Sequence, residues 1–348
     1  MKKALKVIIL AMLMLSASFL TVFSDEAARY TREALNMCII SVIPSLFPYM
    51  VVSSMIVSSG CDRIIGKLLP ISKMYKLPEN ASAAIVLGAV CGFPVGAKTA
   101  VSMYKNGSIS REEAEVLVAV SNNTGPSFVV SVIGTVLFKN VLFGWQLYFS
   151  QIIASVIASL VINNFIFPIK KVNRKPIWNN SSKINFFAAV SDSVSSVLTV
   201  CGFITFFSVV SGFIQHIFSD SFSIIGSIIT SSLEFTSGCT KAAFIGGAKG
   251  RFLAGAAVGW SGISVFCQTA AFTTPFALSM KRCIYTKALQ GLITGAFAMI
   301  PLNTINAITN VSVYYDSLFF ITQDSIVTAI SMFLYCFLIK KVIIDHKL

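Results

Sequence analysis

The chain has 348 residues, 55% of them hydrophobic and only 12% charged, where a soluble globular domain carries about 25% charged residues. With a mean hydropathy of +0.80, that composition leaves no room for a soluble domain. The surplus of 27 Lys and Arg over 14 Asp and Glu reads as loop charge of a membrane protein rather than as a nucleic-acid surface. Eight scattered cysteines without a Cys-x-x-Cys pair, and two histidines, His216 and His346, point to no zinc site, disulfide framework or His-based triad.

In chain order, Lys2, Lys3 and Lys6 precede an apolar run over 7–23, which reads as a first span with its amino end inside. Small residues at Ser16-Ala17-Ser18 leave a cleaved signal peptide as the rival reading. A polar, interfacial helix over 27–36 leads into a second span, 37–59, where Ile43-Pro44-Ser45-Leu46-Phe47-Pro48 predicts a kink. The loop 61–78 holds Arg63, Lys67, Lys73 and Lys76 and so belongs inside. Segment 79–106 has the length of one crossing, yet its middle reads Cys91-Gly92-Phe93-Pro94-Val95-Gly96-Ala97-Lys98. Pro94 removes a backbone donor, the glycines favour turns and Lys98 puts an ammonium where hydrocarbon should be. A break is expected there, and opened backbone survives in a bilayer only where protein buries it or a wet cavity meets it.

Spans at 116–138 and 141–167 follow, the second ending at Lys170-Lys171-Val172-Asn173-Arg174-Lys175. Both flanks of the broken segment then lie inside, which makes it a re-entrant hairpin. The second half repeats the order: a span at 197–217, a hairpin at 222–248 entering from outside near Asp220, and spans at 252–274 and 288–307 separated by a loop with Lys281, Arg282 and Lys287. A last span, 325–339, returns to Lys340-Lys341. The hairpins contain matching runs, Gly96-Ala97-Lys98-Thr99-Ala100 and Gly238-Cys239-Thr240-Lys241-Ala242.

The expected fold is an all-α polytopic membrane protein with an inverted-topology repeat, two re-entrant hairpins and both termini in the cytoplasm. Of the 27 Lys and Arg, 20 then lie inside, five outside (Arg29, Arg32, Lys139, Lys249, Arg251) and two, Lys98 and Lys241, in the hairpins. The parts are an N-terminal span and interfacial helix (1–36), a first repeat (37–169), a basic cytoplasmic linker (170–183), a second repeat (184–307), and an outer loop with the C-terminal span (308–348).

The candidate substrate site follows from the breaks. Half-helix amino ends present bare N–H groups and a positive dipole end, so Pro94 and Gly96 at one tip and Gly238 at the other suit an anion, and Lys98 and Lys241 strengthen that. Either lysine could instead snorkel to an interface. Glu234 either neutralises Lys241 or binds a coupling cation. Ser121-Asn122-Asn123-Thr124-Gly125-Pro126-Ser127 interrupts one span, and Gly259-Trp260-Ser261-Gly262-Ile263-Ser264 the equivalent one, with Gln268 beyond. Five consecutive non-apolar residues exceed what helix packing needs, so Asn122, Asn123, Thr124, Ser127, Ser261 and Gln268 join the site. Close packing alone also accounts for Gly259 and Gly262, and Trp260 either stacks on a planar ligand or packs in the interior. Asn163-Asn164 is expected to meet water. Neither a nucleotide loop nor a catalytic constellation appears, so the chain reads as a non-enzyme without cofactor or metal.

Ile43-Pro44-Ser45-Leu46-Phe47-Pro48, Gly92-Phe93-Pro94-Val95-Gly96-Ala97-Lys98, Ser121-Asn122-Asn123-Thr124-Gly125-Pro126 and Gly259-Trp260-Ser261-Gly262-Ile263-Ser264-Val265 resemble the YlbJ-type sporulation integral membrane proteins, also called stage V sporulation proteins, which contain the nucleoside-recognition or Gate domain. The resemblance runs over roughly 38–275. It implies a fold similar to concentrative nucleoside transporters, with substrate held between opposed hairpins, and a role in moving dipicolinate out of the mother cell across the outer forespore membrane. The resulting expectation is a carrier for a small planar anion, with the bilayer and the solute as partners and no nucleic acid. A nucleoside or nucleobase carrier, or a non-transporting protein of spore-envelope assembly, is the alternative. Homo-oligomerisation stays open.

Overall fold

The computed structural model describes residues 2–169, 185–217 and 224–301. The linker 170–183, the outer loop at Asp220 and the last span, 325–339, lie outside the described residues. The described chain up to Ile300 forms one packed unit, and a second unit, Pro301–Leu348, lies almost wholly beyond them. Among the described residues every element is helical.

α1 (Lys2–Val22) and α2 (Ser24–Met37) are followed by a wide π turn, Cys38–Val42, and by α3 (Ile43–Ser58). The irregularity expected near Ile43-Pro44 is that π turn. Pro44 itself falls in the first turn of α3, where a missing N–H leaves no bond unmade. α2 is more than an interfacial helix: its Tyr30 ring fills the space over Gly212 and meets Phe213 edge-on at 5.7 Å.

After α4 (Asp62–Leu68) come α5 (Ser82–Cys91) and α6 (Val95–Lys105), of 10 and 11 residues. At about 1.5 Å per residue each is about 15 Å long, half of an approximately 30 Å hydrocarbon core. α7 (Arg111–Ser121) opens on a Ser110–Glu113 capping box and stops at Asn122, and the chain resumes as a π-helical stretch, Ser127–Leu137. α8 (Val141–Val161) continues through a π turn, Ile162–Ile166.

α9 (Phe186–Ile217) has 32 residues and begins well before the expected 197. Ser193 and Ser196, which make this stretch look like a loop, are buried, and each hydroxyl donates to the carbonyl four residues back. α10 (Ile224–Leu233) and α11 (Phe235–Ile245) repeat the lengths of 10 and 11 residues. α12 (Gly247–Trp260) and α13 (Gly262–Thr273) are parted at Ser261, whose φ is +71°. α14 (Lys281–Ala298) starts at Lys281 rather than 288, so Lys281, Arg282 and Lys287 lie on a helix and not in a loop. Among the described residues three stretches are long and apolar enough to cross a bilayer: Val141–Ile166, Phe186–Ile214 and Gly247–Phe276.

α8 and α14 form the centre, with α12 laid along α14. Gly259 meets Gly291, whose Cα would lie 2.7 Å from an added Cβ, and Gly255 meets Gly295 at 2.9 Å. Gly259 is therefore a packing glycine, as small residues between membrane helices usually are. An arginine fastens each end of α14. Arg282 pairs with Glu112 of α7 at 2.9 Å and donates to Asn163 Oδ1 of α8 at 3.1 Å. Asn163 is thus buried rather than wet, while Asn164 is exposed. At the opposite end Arg251 of α12 donates to the Ala298 carbonyl at 2.8 Å and to Gln146 of α8.

Candidate functional site

Each short helix pair turns at a break, and each break abuts the gap of an interrupted helix. In the first half Gly92, at φ +80°, leaves no room for a Cβ, which would lie 2.6 Å from the Gly125 amide nitrogen. A Cβ at Gly88 or Gly96 would run into the Ser121 carbonyl oxygen, so α5 and α6 both touch the end of α7. In the second half Gly262, at φ +84°, lies against Leu233, Glu234 and Phe235, where α10 gives way to α11. Gly262 is therefore the break itself, not a packing glycine. The two tips meet: the Phe93 and Phe235 rings are edge to face at 5.4 Å, with Phe128 at 5.2 Å from Phe235.

The gap after α7 is held by side chains from three helices. Gln151 of α8 accepts from the Thr124 amide at 3.3 Å and donates to the Thr124 carbonyl at 2.6 Å, replacing the bonds a continuous helix would make. Asn122 Nδ2 donates to Thr269 Oγ1 of α13 at 3.1 Å. Asn123 Nδ2 bonds back to the Val120 carbonyl at 2.9 Å, and its Oδ1 accepts from Lys287 Nζ at 3.2 Å and Gln290 Nε2 at 3.0 Å. All three gap residues are buried, and among the described residues Asn122 Oδ1 and Thr124 Oγ1 have no partner. The sequence reading placed Lys287 in a cytoplasmic loop; the structure buries it completely.

The other expected site residues separate. Lys98 and Gly96 are two positions apart, about 200° around a helix, so with Gly96 on α7 the lysine turns the other way, to α9. There its Nζ lies 2.7 Å from Asp192 Oδ2. Pro94 is buried at the tip. Gly238 packs on Ser231 across the second hairpin. Lys241 is buried with no carboxylate in ion-pair range among the described residues. Ser261 is fully buried and donates to the Val258 carbonyl at 3.3 Å. Gln268 donates to Ser264 Oγ at 3.3 Å while its Oε1 has no partner among the described residues. Ser127 is exposed, away from this cluster.

Neither expected role of Glu234 is the one observed. Its carboxylate caps α11, accepting from the Thr236 amide at 3.0 Å and the Ser237 amide at 2.8 Å. The amino end of α11 is thereby filled by the chain's own anion. α6 and α13 have no side-chain cap. Trp260 packs edge-on to Phe266 at 4.8 Å and donates to the Ser232 carbonyl at 3.3 Å, which is the interior-packing reading.

Helices of spanning length and composition, half-length helices with open-backbone tips and a buried polar centre define an all-α integral membrane protein. The chain is similar to the sporulation integral membrane protein YlbJ of Bacillus subtilis (strain 168), 23% identical over 334 residues that cover 82% of this chain and 81% of that protein. The resemblance to YlbJ-type proteins read from four short motifs thus extends over most of the chain. No family model matches, and no solved structure matches.

Proposed function

We propose that the protein is a sporulation membrane carrier that moves a small planar anion, dipicolinate, from the mother cell across the outer forespore membrane. The observation that carries this reading is the gathering of four chain breaks, linked by Gly92 to Gly125, Phe93 to Phe235 and Gly262 to Glu234. Open backbone is costly in hydrocarbon, and breaks gathered around buried amides, hydroxyls and lysines give a polar solute its partners at mid-depth. Each half has the same order of hairpin, interrupted helix and return helix. That order supports an inverted-topology repeat resembling concentrative nucleoside transporters, with multiple crossings, hairpins entering from opposite faces and both termini cytoplasmic. Movement of the hairpins against α8 and α14 then opens the site to one side at a time.

The sporulation role and the choice of dipicolinate rest on the likeness to YlbJ-type proteins. Dipicolinate is a flat dianion, suited to a basic, amide-rich centre built from Asn122, Asn123 and Ser261 with lysines near them. The protein performs no covalent chemistry in this reading. The test is flux of labelled dipicolinate and uridine into proteoliposomes holding the full chain. Dipicolinate flux that falls about tenfold or more in Asn122→Ala supports the proposal; unchanged flux rejects the site. Faster uridine flux makes the protein a nucleoside carrier, and no flux of either solute favours a structural role in spore-envelope assembly.

A further inference from the structure

α14 carries a polar stripe inside the packed centre. Cys283, Lys287, Gln290 and Thr294 recur at intervals of four, three and four, so they share a face, with Thr286 beside it, and all five are buried. Lys287 Nζ donates to Asn123 Oδ1 at 3.2 Å and to Gln290 Oε1 at 2.9 Å. An ammonium has three N–H donors. No acceptor for the third and no carboxylate in ion-pair range occur among the described residues. The buried hydroxyls of Thr286, beside Lys287 on α14, and of Thr124, next to Asn123 in the gap, also lack partners. A buried cation with no carboxylate in ion-pair range among the described residues, on a helix and against a gap that each carry a buried hydroxyl with no partner, is a costly arrangement that a bound anion would relieve.

We propose that Lys287 is the anchor for one carboxylate of the transported anion, which lies between its ammonium and the hydroxyls of Thr124 and Thr286. The proposal rests on the carrier reading and deepens it. It moves charge recognition from the hairpin lysines, of which Lys98 already has Asp192, to a helix of the central scaffold. Substrate charge is then read by a fixed element, and the moving hairpins only close over it.

The test is equilibrium binding of dipicolinate, of its monocarboxylate picolinate and of uridine to the purified full chain, with dipicolinate flux measured alongside. Lys287→Gln should weaken both carboxylates about tenfold or more while Lys287→Arg keeps most of the affinity. Lys287→Gln binding both carboxylates like the wild type overturns the anchor, and if flux persists the carrier reading stands. Wild-type binding that Lys287→Gln abolishes, without any flux, keeps the anchor and rejects the carrier. Wild-type protein that binds neither carboxylate overturns both. Should Lys287→Gln fail to fold, Thr286→Val retains the lysine, and carboxylate affinity unchanged by that variant overturns the assignment.

Discussion

The two hairpins have the same lengths, 10 and 11 residues in each, and opposite means of restraint. The first is held by backbone and by a long-range ion pair: its glycines sit on the Ser121 carbonyl, and Lys98 reaches Asp192 of α9. The second is held by a cap of its own and by the interrupted helix beside it: Glu234 caps α11, Gly238 rests on Ser231, Gly262 lies against Leu233, Glu234 and Phe235, Trp260 donates to the Ser232 carbonyl, and Lys241 has no carboxylate partner among the described residues. Matching sequence runs thus do not give matching mechanics, because what decides is the neighbour each run meets.

The sharpest way to break the comparison is at the glycines. Gly96→Ala traps a Cβ between the Ser121 and Gly88 backbones and should cost about 3 kcal/mol in thermal unfolding of the detergent-solubilised protein. Gly238→Ala should cost less, about 2 kcal/mol, and Ser231→Gly should recover part of it; no side-chain change should recover Gly96→Ala. Next is the cap: Glu234→Ala should lower stability by about 1–2 kcal/mol, with hydrogen exchange at Thr236 and Ser237 accelerated and exchange in α6 unchanged. Third is the ion pair. The Lys98 side chain is 9% exposed but that of Asp192 is 61% exposed, so solvent screens the pair and Asp192→Ala should cost about 1 kcal/mol. Lys98→Met should restore the loss in that background, and Lys241→Met should cost nothing.

The smallest effect is a pH dependence at the entry to the first hairpin. Asn80 Nδ2 donates to Asp62 Oδ2 at 3.2 Å, and burial pushes the Asp62 carboxyl above the usual carboxylate range despite that bond. A group raised in the folded state favours folding below its unfolded pKa and loses that contribution as pH rises through its folded value. Asp62→Asn should therefore flatten the upper acid limb of the melting-temperature profile and shift stability at pH 7 by under about 1 kcal/mol.

Much of this arrangement was legible in the chain because breaks in membrane helices use few residue types. Gly92, Pro94 and Gly96 announce the first tip, five non-apolar residues announce the gap after α7, and Ser261-Gly262 announces the gap after α12. What stayed hidden depends on register and distance. Hydropathy reads Lys281, Arg282 and Lys287 as a loop, yet Arg282 finds Glu112 and Asn163, and Lys287 finds Asn123, all more than a hundred residues earlier. The three- and four-residue spacing from Cys283 to Thr294 was a visible helical signal, masked by the basic residues within it. Asp192 lies before the expected start of the span at 197, among Ser191, Ser193, Ser195 and Ser196; the Ser193 and Ser196 hydroxyls donate to carbonyls four residues back, which is how a helix in an apolar setting hides such residues. Glu234 could not be assigned without knowing that a helix starts one residue later.

The meeting of α12 and α14 at Gly255, Gly259, Gly291 and Gly295 constrains how such a protein changes shape. Where two backbones pack this closely, neither rolls nor slides without collision, and Arg251 and Arg282 tether the ends of α14. That pair behaves as a beam. In the proposed carrier cycle the flexing falls elsewhere, and Ser261-Gly262, two adjacent residues with positive φ where α12 gives way to α13, are the joint which that reading predicts.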